Sequence, residues 1–410
     1  MRKALALAGV LAMRVLLATA GEPEGAGDWP GWRGPNRDGK SADTGLLKEW
    51  PAEGPRLLWK AEGIGNGFSS VAVSGGTVYV TGDDDGRLRL FAFGLDGAKK
   101  WQVDIEPAWR GSHPGARATP TLDGGKLYLE TASGLVACLD ARSGKRIWSK
   151  HLVRDFGGSV PGWGYAESVL VYRTLAIVKP GGRNCVVALD KETGAVKWMS
   201  KGFDGGAEYS SCLAVPYQGG HLLFTGTRAG LLCLSARTGA VLFSNPWSAN
   251  NTANCPTPAF ADGYVFWANG YGKGGICMRV NVTESSVTAR QAWTTSDMVC
   301  HHGGYVIHEG FIYGNHEGGY SCLELKSGKR MWHERAVGKG SLCWADGMLY
   351  LFGESGGQAA LATCSPNGME IKGRVRVQGN GPSWAHPVVA GGRLYLRYDT
   401  NLYCFDVKAK

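Results

Sequence analysis

The chain has 410 residues, 63 of them Gly and 17 Pro, with 44% hydrophobic and 19% charged side chains, so it is neither disordered nor a coiled coil and it can bury a large core. Lys plus Arg outnumber Asp plus Glu by 44 to 35, a net charge of +9, but the bases are scattered. No stripe follows a nucleic-acid backbone, and no nucleic-acid partner is expected. Residues 1–20 read as an export signal: Arg2 and Lys3, an apolar stretch from Ala4 to Leu17 broken by Arg14, then Ala18-Thr19-Ala20. Cleavage is expected after Ala20, which places the mature chain in the periplasm or outside the cell. No Cys follows that site, so a lipoprotein anchor is not indicated. No later segment approaches the roughly 18 uninterrupted apolar residues that span a bilayer.

Residues 21–54 form an irregular lead-in that contains Trp29-Pro30-Gly31-Trp32-Arg33-Gly34-Pro35-Asn36-Arg37-Asp38-Gly39. From residue 55 to 410 the chain repeats itself, and repetition is read before any single motif. The clearest copy runs Thr119-Pro120-Thr121-Leu122-Asp123-Gly124-Gly125-Lys126-Leu127-Tyr128-Leu129, then Ser133-Gly134, Leu135 to Asp140, and Ser143-Gly144-Lys145-Arg146-Ile147-Trp148. It holds four short strand-like pieces closed by Gly, Asp and Ser turns. Further copies begin near Ser70, Ser168, Ala214, Thr257, Gly304, Ser341 and His386. Their outer strands end at Trp101, Trp148, Trp198, Phe243, Trp293 and Trp332, 39 to 50 residues apart, and near Val375 in the seventh. That period fits a four-stranded blade, and blades stacked in a circle hide their faces. The eighth copy stops one strand short at Leu402-Tyr403-Cys404-Phe405-Asp406, while Arg56-Leu57-Leu58-Trp59-Lys60 resembles an outer strand without inner ones. An all-β, eight-bladed propeller of antiparallel four-stranded blades, closed by this N-terminal strand, is therefore expected.

Ala188, Asp190, Thr193, Gly194 and Trp198 match the blade signature A-x-D-x-x-[ST]-G-x-x-x-W, and Asp140, Ser143, Gly144 and Trp148 match it with Cys138 at the small-residue position. On these residues the chain resembles the pyrroloquinoline-quinone-like (PQQ-like) repeat family. The Trp29 to Gly39 segment resembles the lead-in of exported bacterial proteins of this type. The resemblance implies the propeller fold but not a reaction, because the family holds both quinoprotein dehydrogenases and the non-catalytic propeller of the outer-membrane barrel assembly machinery. The adjacent Cys pair that marks quinoprotein alcohol dehydrogenases is missing, as is a C-x-x-C-H haem site.

Eleven Cys in an exported chain need an account. Cys138, Cys233, Cys322 and Cys404 occupy the small signature position and are expected as core thiols, with Cys277 as a possible fifth. Gly353-Glu354-Ser355-Gly356-Gly357 fits G-x-S-x-G, but no helix follows, so a hairpin turn is expected. Asp83-Asp84-Asp85-Gly86 reads as another turn, lacking the spaced ligands of an EF-hand. His301, His302, His308 and His316 form a cluster on paper, yet His308 belongs at the far end of the channel, leaving His302 with His316 as the only candidate metal pair.

Propellers gather the starts of their inner strands around the channel mouth. That position is filled in turn by Phe68, Arg117, Ala166, Cys212, Cys255, His302, Lys339 and Trp384, with Glu167 and His386 one or two places further on and Trp109, Arg110, His113, Trp163 and Tyr165 in the preceding loops. Arg117, Glu167, His302, Lys339, Trp384 and His386 are the candidate binding residues. Their mixture of cations and aromatics fits a small anionic or aromatic group or a protein partner. The expected function is an exported, monomeric binding or scaffold module with no catalytic residue, metal or cofactor. The alternative is a quinone-dependent dehydrogenase of alcohols or sugars, in which Arg117, His302 and Lys339 hold the carboxylates of PQQ, Trp384 stacks on it, and Glu167 or His386 takes the proton.

Overall fold

Short apolar runs broken by Gly and Asp turns satisfy their backbone groups by pairing with the next run, and here they do so eight times. The computed structural model describes residues 27–409; the expected export signal lies outside them. Eight antiparallel sheets follow one another along the chain, seven of four strands and one of five. The second blade comprises Thr121–Asp123, Lys126–Glu130, Leu135–Asp140 and Arg146–His151, from the channel outward. Its last turn shows why the signature has its spacing. The Asp140 carboxylate accepts from the Ser143 backbone N–H at 2.8 Å and hydroxyl at 2.6 Å, and Gly144 takes φ +70°.

A transverse row of side chains defines each blade. Cys138 lies between Tyr128 and Trp148, Cys233 between Phe224 and Phe243, Cys322 between Tyr313 and Trp332, and Cys404 between Tyr395 and Trp59. Cys277, between Phe266 and Trp293, is the fifth such thiol. All eleven thiols are free and nine are buried. The Trp of one blade then covers the turn glycine of the next, Trp148 on Gly194 and Trp198 on Gly239, where a Cβ would have no room. Its indole N–H donates across the same junction, from Trp148 to the Lys191 carbonyl at 3.0 Å and from Trp332 to the Ser365 carbonyl at 2.8 Å. Ring packing joins neighbouring blades, and at the Trp148 and Trp332 junctions a hydrogen bond adds to it.

The seventh blade departs from the sequence expectation. Its register pairs Tyr350 with Leu361 and Leu361 with Gly373, so Gly373, not Val375, stands where the other blades place their outer aromatic. The ring that fills the gap comes from the lead-in: Trp50 packs over Gly373 and lies 6.0 Å from Tyr350, with its backbone N–H on the Lys372 carbonyl.

Arg56–Ala61 pairs antiparallel with Asn401–Asp406, Leu57 opposite Phe405 and Trp59 opposite Cys404, and so completes the eighth blade as expected. The segment before it enters the ring. Trp29 bridges Val73, Pro30 accepts from Leu122 N–H, and Lys40–Ser41 adds a parallel strand to Gly340–Ala345, the fifth of that blade. Between these anchors Arg37 donates to the carbonyls of Ser168 and Cys212, each at 3.0 Å, and to that of Val169, while Arg33 donates to that of Tyr305. Two buried guanidiniums thus collect inner-strand carbonyls from both sides of the channel. The lead-in is a plug at the end opposite the mouth.

A belt of hydroxyls completes the inner wall. His386 N–H donates to Ser70 Oγ at 2.9 Å, Ser70 N–H to Thr119 Oγ1 at 3.1 Å, Thr119 N–H to Ser168 Oγ at 3.0 Å and Ser168 N–H to Ser211 Oγ at 3.1 Å. Each bond crosses from one blade to the next. Among the described residues no helix is long and apolar enough to cross a membrane. Replacing Trp50 by Ala leaves a cavity in a blade that has no ring of its own, and a loss of about 3–5 kcal/mol is expected. Urea unfolding measures it; a variant as stable as the parent would show that Trp50 does not complete the blade.

Candidate functional site

The loops that lead into the inner strands converge on a mouth cavity of ≈ 220 Å³. Phe68 reaches it from the first blade, His113 and Arg117 from the second, Trp163 from the third, Tyr209 from the fourth, Cys255 from the fifth, His301 and His302 from the sixth and Trp384 from the eighth. Tyr271 enters from a hairpin of the fifth blade, and Trp32 of the plug lines it from below, its indole donating to Thr257 Oγ1 at 2.9 Å.

The walls are rings in mutual contact. Trp163 stacks on Tyr209 with centroids 5.3 Å apart, His113 meets Trp163 and Trp384 edge-on at 5.3 and 5.2 Å, and Trp384 lies 4.6 Å from Phe68 and 5.9 Å from His302. His301 and Tyr271 continue the circle at 4.9 Å. Tilted and edge-on pairs of this kind lock one another in place.

The cations of the rim are engaged. Arg117 donates to the carbonyls of Gly115, Ser112 and His113 in its own loop and lies over Trp109 at 5.6 Å. Burial lowers its pKa to about 10 against the pull of Asp83, so it stays charged. Lys339 pairs with Glu354 at 3.0 Å, whose other oxygen accepts the Trp384 indole N–H at 2.8 Å. Lys339 also donates to His301 Nδ1 at 2.7 Å, so the His301 proton sits on Nε2 and points to Tyr271 Oη at 3.1 Å. Burial and then Lys339 lower the His301 pKa to about 4. His302 is likewise held neutral by burial, with its neighbours His301, Lys339 and His386 adding to the effect. Neither ring nitrogen of His302 has a hydrogen-bond partner among the described residues, although both are buried.

Of the six residues singled out by sequence, Arg117, His302 and Trp384 line this cavity, and Lys339 braces it through His301. Glu167 and His386 do not. Glu167 lies one position beyond the lining residue Ala166, in the loop that precedes the inner strand Leu170–Tyr172, and does not line the mouth. It points between blades into a buried ion pair with Lys179 at 3.1 Å, beside Glu130. His386 is buried under the rim, its Nε2 on the His302 carbonyl at 2.9 Å and its ring 4.5 Å from Trp32. Burial, with Arg33 adding to it, lowers its pKa to about 3. Among the leading-loop residues His113 and Trp163 reach the cavity, whereas Tyr165 is buried on the Pro180 carbonyl. Trp109 and Arg110 line a neighbouring cavity of ≈ 310 Å³ between the first two blades.

His302 and His316 do not pair. His316 accepts the Val299 N–H at 3.0 Å and packs on His333, and among the described residues no group of three metal-binding side chains forms. His308 lies against Trp344 beside Lys40, on the plug side. The G-x-S-x-G and Asp83-Gly86 segments are both hairpin turns. Sequence reasoning missed Trp32, Tyr209 and Tyr271. The paired Trp and Arg of the lead-in were the available signal for the first.

Residues 92–334 match the family model described as outer membrane protein assembly factor BamB. The chain belongs to this PQQ-like repeat family. A BamB from Shewanella oneidensis is 25% identical over 220 residues, 52% of each chain, so the match spans about half the length of this curated relative. Among solved structures, BamB from Moraxella catarrhalis superposes with a TM-score of 0.61 at 15% identity, covering 86% of this chain and 98% of that one. Quinohemoprotein alcohol dehydrogenase from Comamonas testosteroni gives 0.68 at 13%, covering 93% and 81%. Likeness at this identity carries the propeller and not its chemistry.

Glu130 and Glu167 share a pocket with one Lys, and burial raises both carboxyl pKa values, the charge of Glu167 adding to the effect on Glu130. A carboxyl raised on folding stabilises the fold below its unfolded pKa, near 4.3, and loses that contribution as the pH climbs through the folded value. Glu130→Gln, which cannot ionise, is expected to match the parent at pH 4 and to exceed it by on the order of 1 kcal/mol at pH 8. Equal thermal midpoints of the two proteins at pH 8 would contradict the buried acid pair.

Proposed function

We propose that this chain is an exported, non-catalytic propeller that binds a protein partner, as the assembly-factor name of its relatives indicates for them. The observation that carries the reading is the chemistry of the mouth. Its surface is rings and neutral imidazoles, its lysine is matched by a carboxylate, and its arginine is spent on the carbonyls of its own loop. The export signal read at residues 1–20 supports a periplasmic or secreted chain. We take residues 27–54 as part of the folded unit, because they supply the plug and one ring of the seventh blade.

The quinone-dependent alternative was tested against the residues present. A carboxylated quinone needs free cations, a stacking pair and a base. The chain has no adjacent Cys pair, Lys339 is paired with Glu354, and Glu167 and His386, the expected bases, do not line the mouth. The residues do not fit the cofactor.

Two measurements test the proposal. Purified protein given PQQ, Ca²⁺, a dye acceptor and primary alcohols or aldoses is expected to show no dye reduction above a heat-denatured control. Cross-linking of a tagged chain in its host envelope is expected to retrieve components of the barrel assembly machinery. Quinone-dependent turnover would overturn the reading, and so would recovery of the tagged chain in the cytosol.

A further inference from the structure

We infer that Glu130 is a pH-operated latch between the second and third blades: neutral, it stays buried and the blades are closed; ionised, it turns out toward Arg110 and Arg117 and releases the loop that carries one wall of the mouth. The device belongs to the fold and does not depend on what the mouth binds. The first support is a count of charges. Glu130, Glu167 and Lys179 are 2%, 2% and 0% exposed and share one enclosure, so two carboxyls face one ammonium. Lys179 stands 3.1 Å from Glu167 but spends its three N–H donors on the carbonyls of Ser210 and Gly226 and on Thr225 Oγ1. Neither oxygen of Glu130 has a hydrogen-bond partner among the described residues. One buried negative charge is matched and a second is not, so the second acid keeps its proton until the pH removes it.

The surrounding groups keep that imbalance on Glu130. Arg37, reaching in from the plug, favours the charge on Glu167, whereas the charges acting on Glu130 are those of Glu167 and Lys179. The thiols of Cys185 and Cys212 and the phenol of Tyr165 complete the enclosure, and burial pushes all three up, so they stay neutral. Burial raises Glu167 to about 7, and burial with the charge of Glu167 raises Glu130. With both acids raised on folding, the closed junction holds at acid and neutral pH and gives way as the pH climbs above the Glu167 value.

The second support is a place for the ionised side chain to go. Glu130 and the three residues after it line the ≈ 310 Å³ cavity between the first two blades, which Arg110 and Arg117 line together with Asp83 and Glu106. The neutral acid keeps its oxygens closed off from this space. Turned outward, a carboxylate meets water and two guanidiniums there, and Arg117 also lines the mouth. The third support is the link to that mouth. The Ala132 carbonyl accepts the Tyr165 N–H at 3.0 Å, a bond between two blades that lies two residues beyond Glu130 on one side and two before Glu167 on the other. The Tyr165 ring covers Gly134 and its hydroxyl holds the Pro180 carbonyl at 2.9 Å, while Trp163 and Ala166 on either side of it line the mouth. Turning Glu130 outward draws Ala132 from Tyr165, and the mouth loses the backbone that sets Trp163.

Hydrogen exchange of the whole chain, followed by mass spectrometry at pH 6 and pH 9.5 with labelling times rescaled for base catalysis, reads the latch. Protection of residues 130–135 and 163–168 is expected to fall at least tenfold at the higher pH, with the junction of the fourth and fifth blades unchanged. Glu130→Gln cannot ionise and should keep that protection at both values. Should Glu130→Gln lose its fold, infrared spectra of the parent in heavy water decide: a protonated-carboxyl stretch present at pH 6 is expected to be gone at pH 9.5. A stretch absent at pH 6 or retained at pH 9.5, exchange indifferent to pH, a loss spread equally over all eight junctions, or the same loss in Glu130→Gln would overturn the inference. Its failure is separable from that of the scaffold reading. Flat exchange with an intact barrel-assembly cross-link overturns the latch alone, whereas quinone turnover in a protein that shows the local loss overturns the scaffold alone.

Discussion

Pairing of Arg56–Ala61 with Asn401–Asp406 is the contact on which the molecule depends, because it closes the ring of blades. Each blade buries both faces against neighbours, so a ring left open exposes two apolar faces and two edges at once. The strand that shuts this ring is continuous with the segment that enters the channel. Between Arg33 and Ala61 the same stretch completes the outside of the eighth blade, supplies Trp50 to the seventh and sends Arg33 and Arg37 into the centre. This stretch is therefore tied to the ring at three radii. Loss of the outer strand frees the lead-in, and loss of the plug leaves inner-strand carbonyls without the donors that now satisfy them.

Many polar groups near the axis are answered by backbone groups of neighbouring blades. The Ser and Thr belt passes backbone N–H groups from blade to blade, the two plug arginines collect carbonyls, and Lys179 donates to the carbonyls of Ser210 and Gly226 while pairing with Glu167. Arg397 does the same for Gly65, Ser69 and Thr81 in the first and last blades. This explains why a chain with surplus cations presents a mouth without free ones. Its positive groups near the channel are consumed in holding the strands, and burial lowers the pKa of Arg37 to about 10 and of Arg397 to about 9. His302 lines the mouth with neither ring nitrogen hydrogen-bonded among the described residues.

The blades were legible from sequence because their determinants are local. Turn chemistry, the small residue of the third strand and the outer Trp all fall within one repeat, so Cys138 and Trp148 announce their own pairing. Blade seven was misread because its ring is not local: nothing around Val375 shows that Gly373 is covered by Trp50 from the other end of the chain. The mouth was legible to the same degree. Aligning inner-strand starts found Phe68, Arg117, His302 and Trp384, since equivalent positions face the same way. It failed one residue on, at Glu167, and two residues on, at His386, because both lie in loops before the inner strands, where side-chain direction follows no fixed alternation. Tyr271 and Trp32 come from a different hairpin and from the plug, so no alignment of repeats reaches them.

Trp32 ties the two ends of the channel together. Its indole bonds to Thr257 and its ring packs on His386, whose own nitrogen holds the His302 carbonyl. The backbone that aims His302 into the mouth thus rests on a residue of the plug, and the mouth has no such support until the lead-in has entered. Seven of the eight blades contribute a leading-loop residue to this one cavity, so an angular shift at any junction displaces a ring of the wall. A shape assembled from so many elements is held only as firmly as the ring itself. Closure of the fold and completion of the site therefore draw on one segment: the stretch from Trp32 to Ala61 supplies both the floor of the cavity and the strand that shuts the ring.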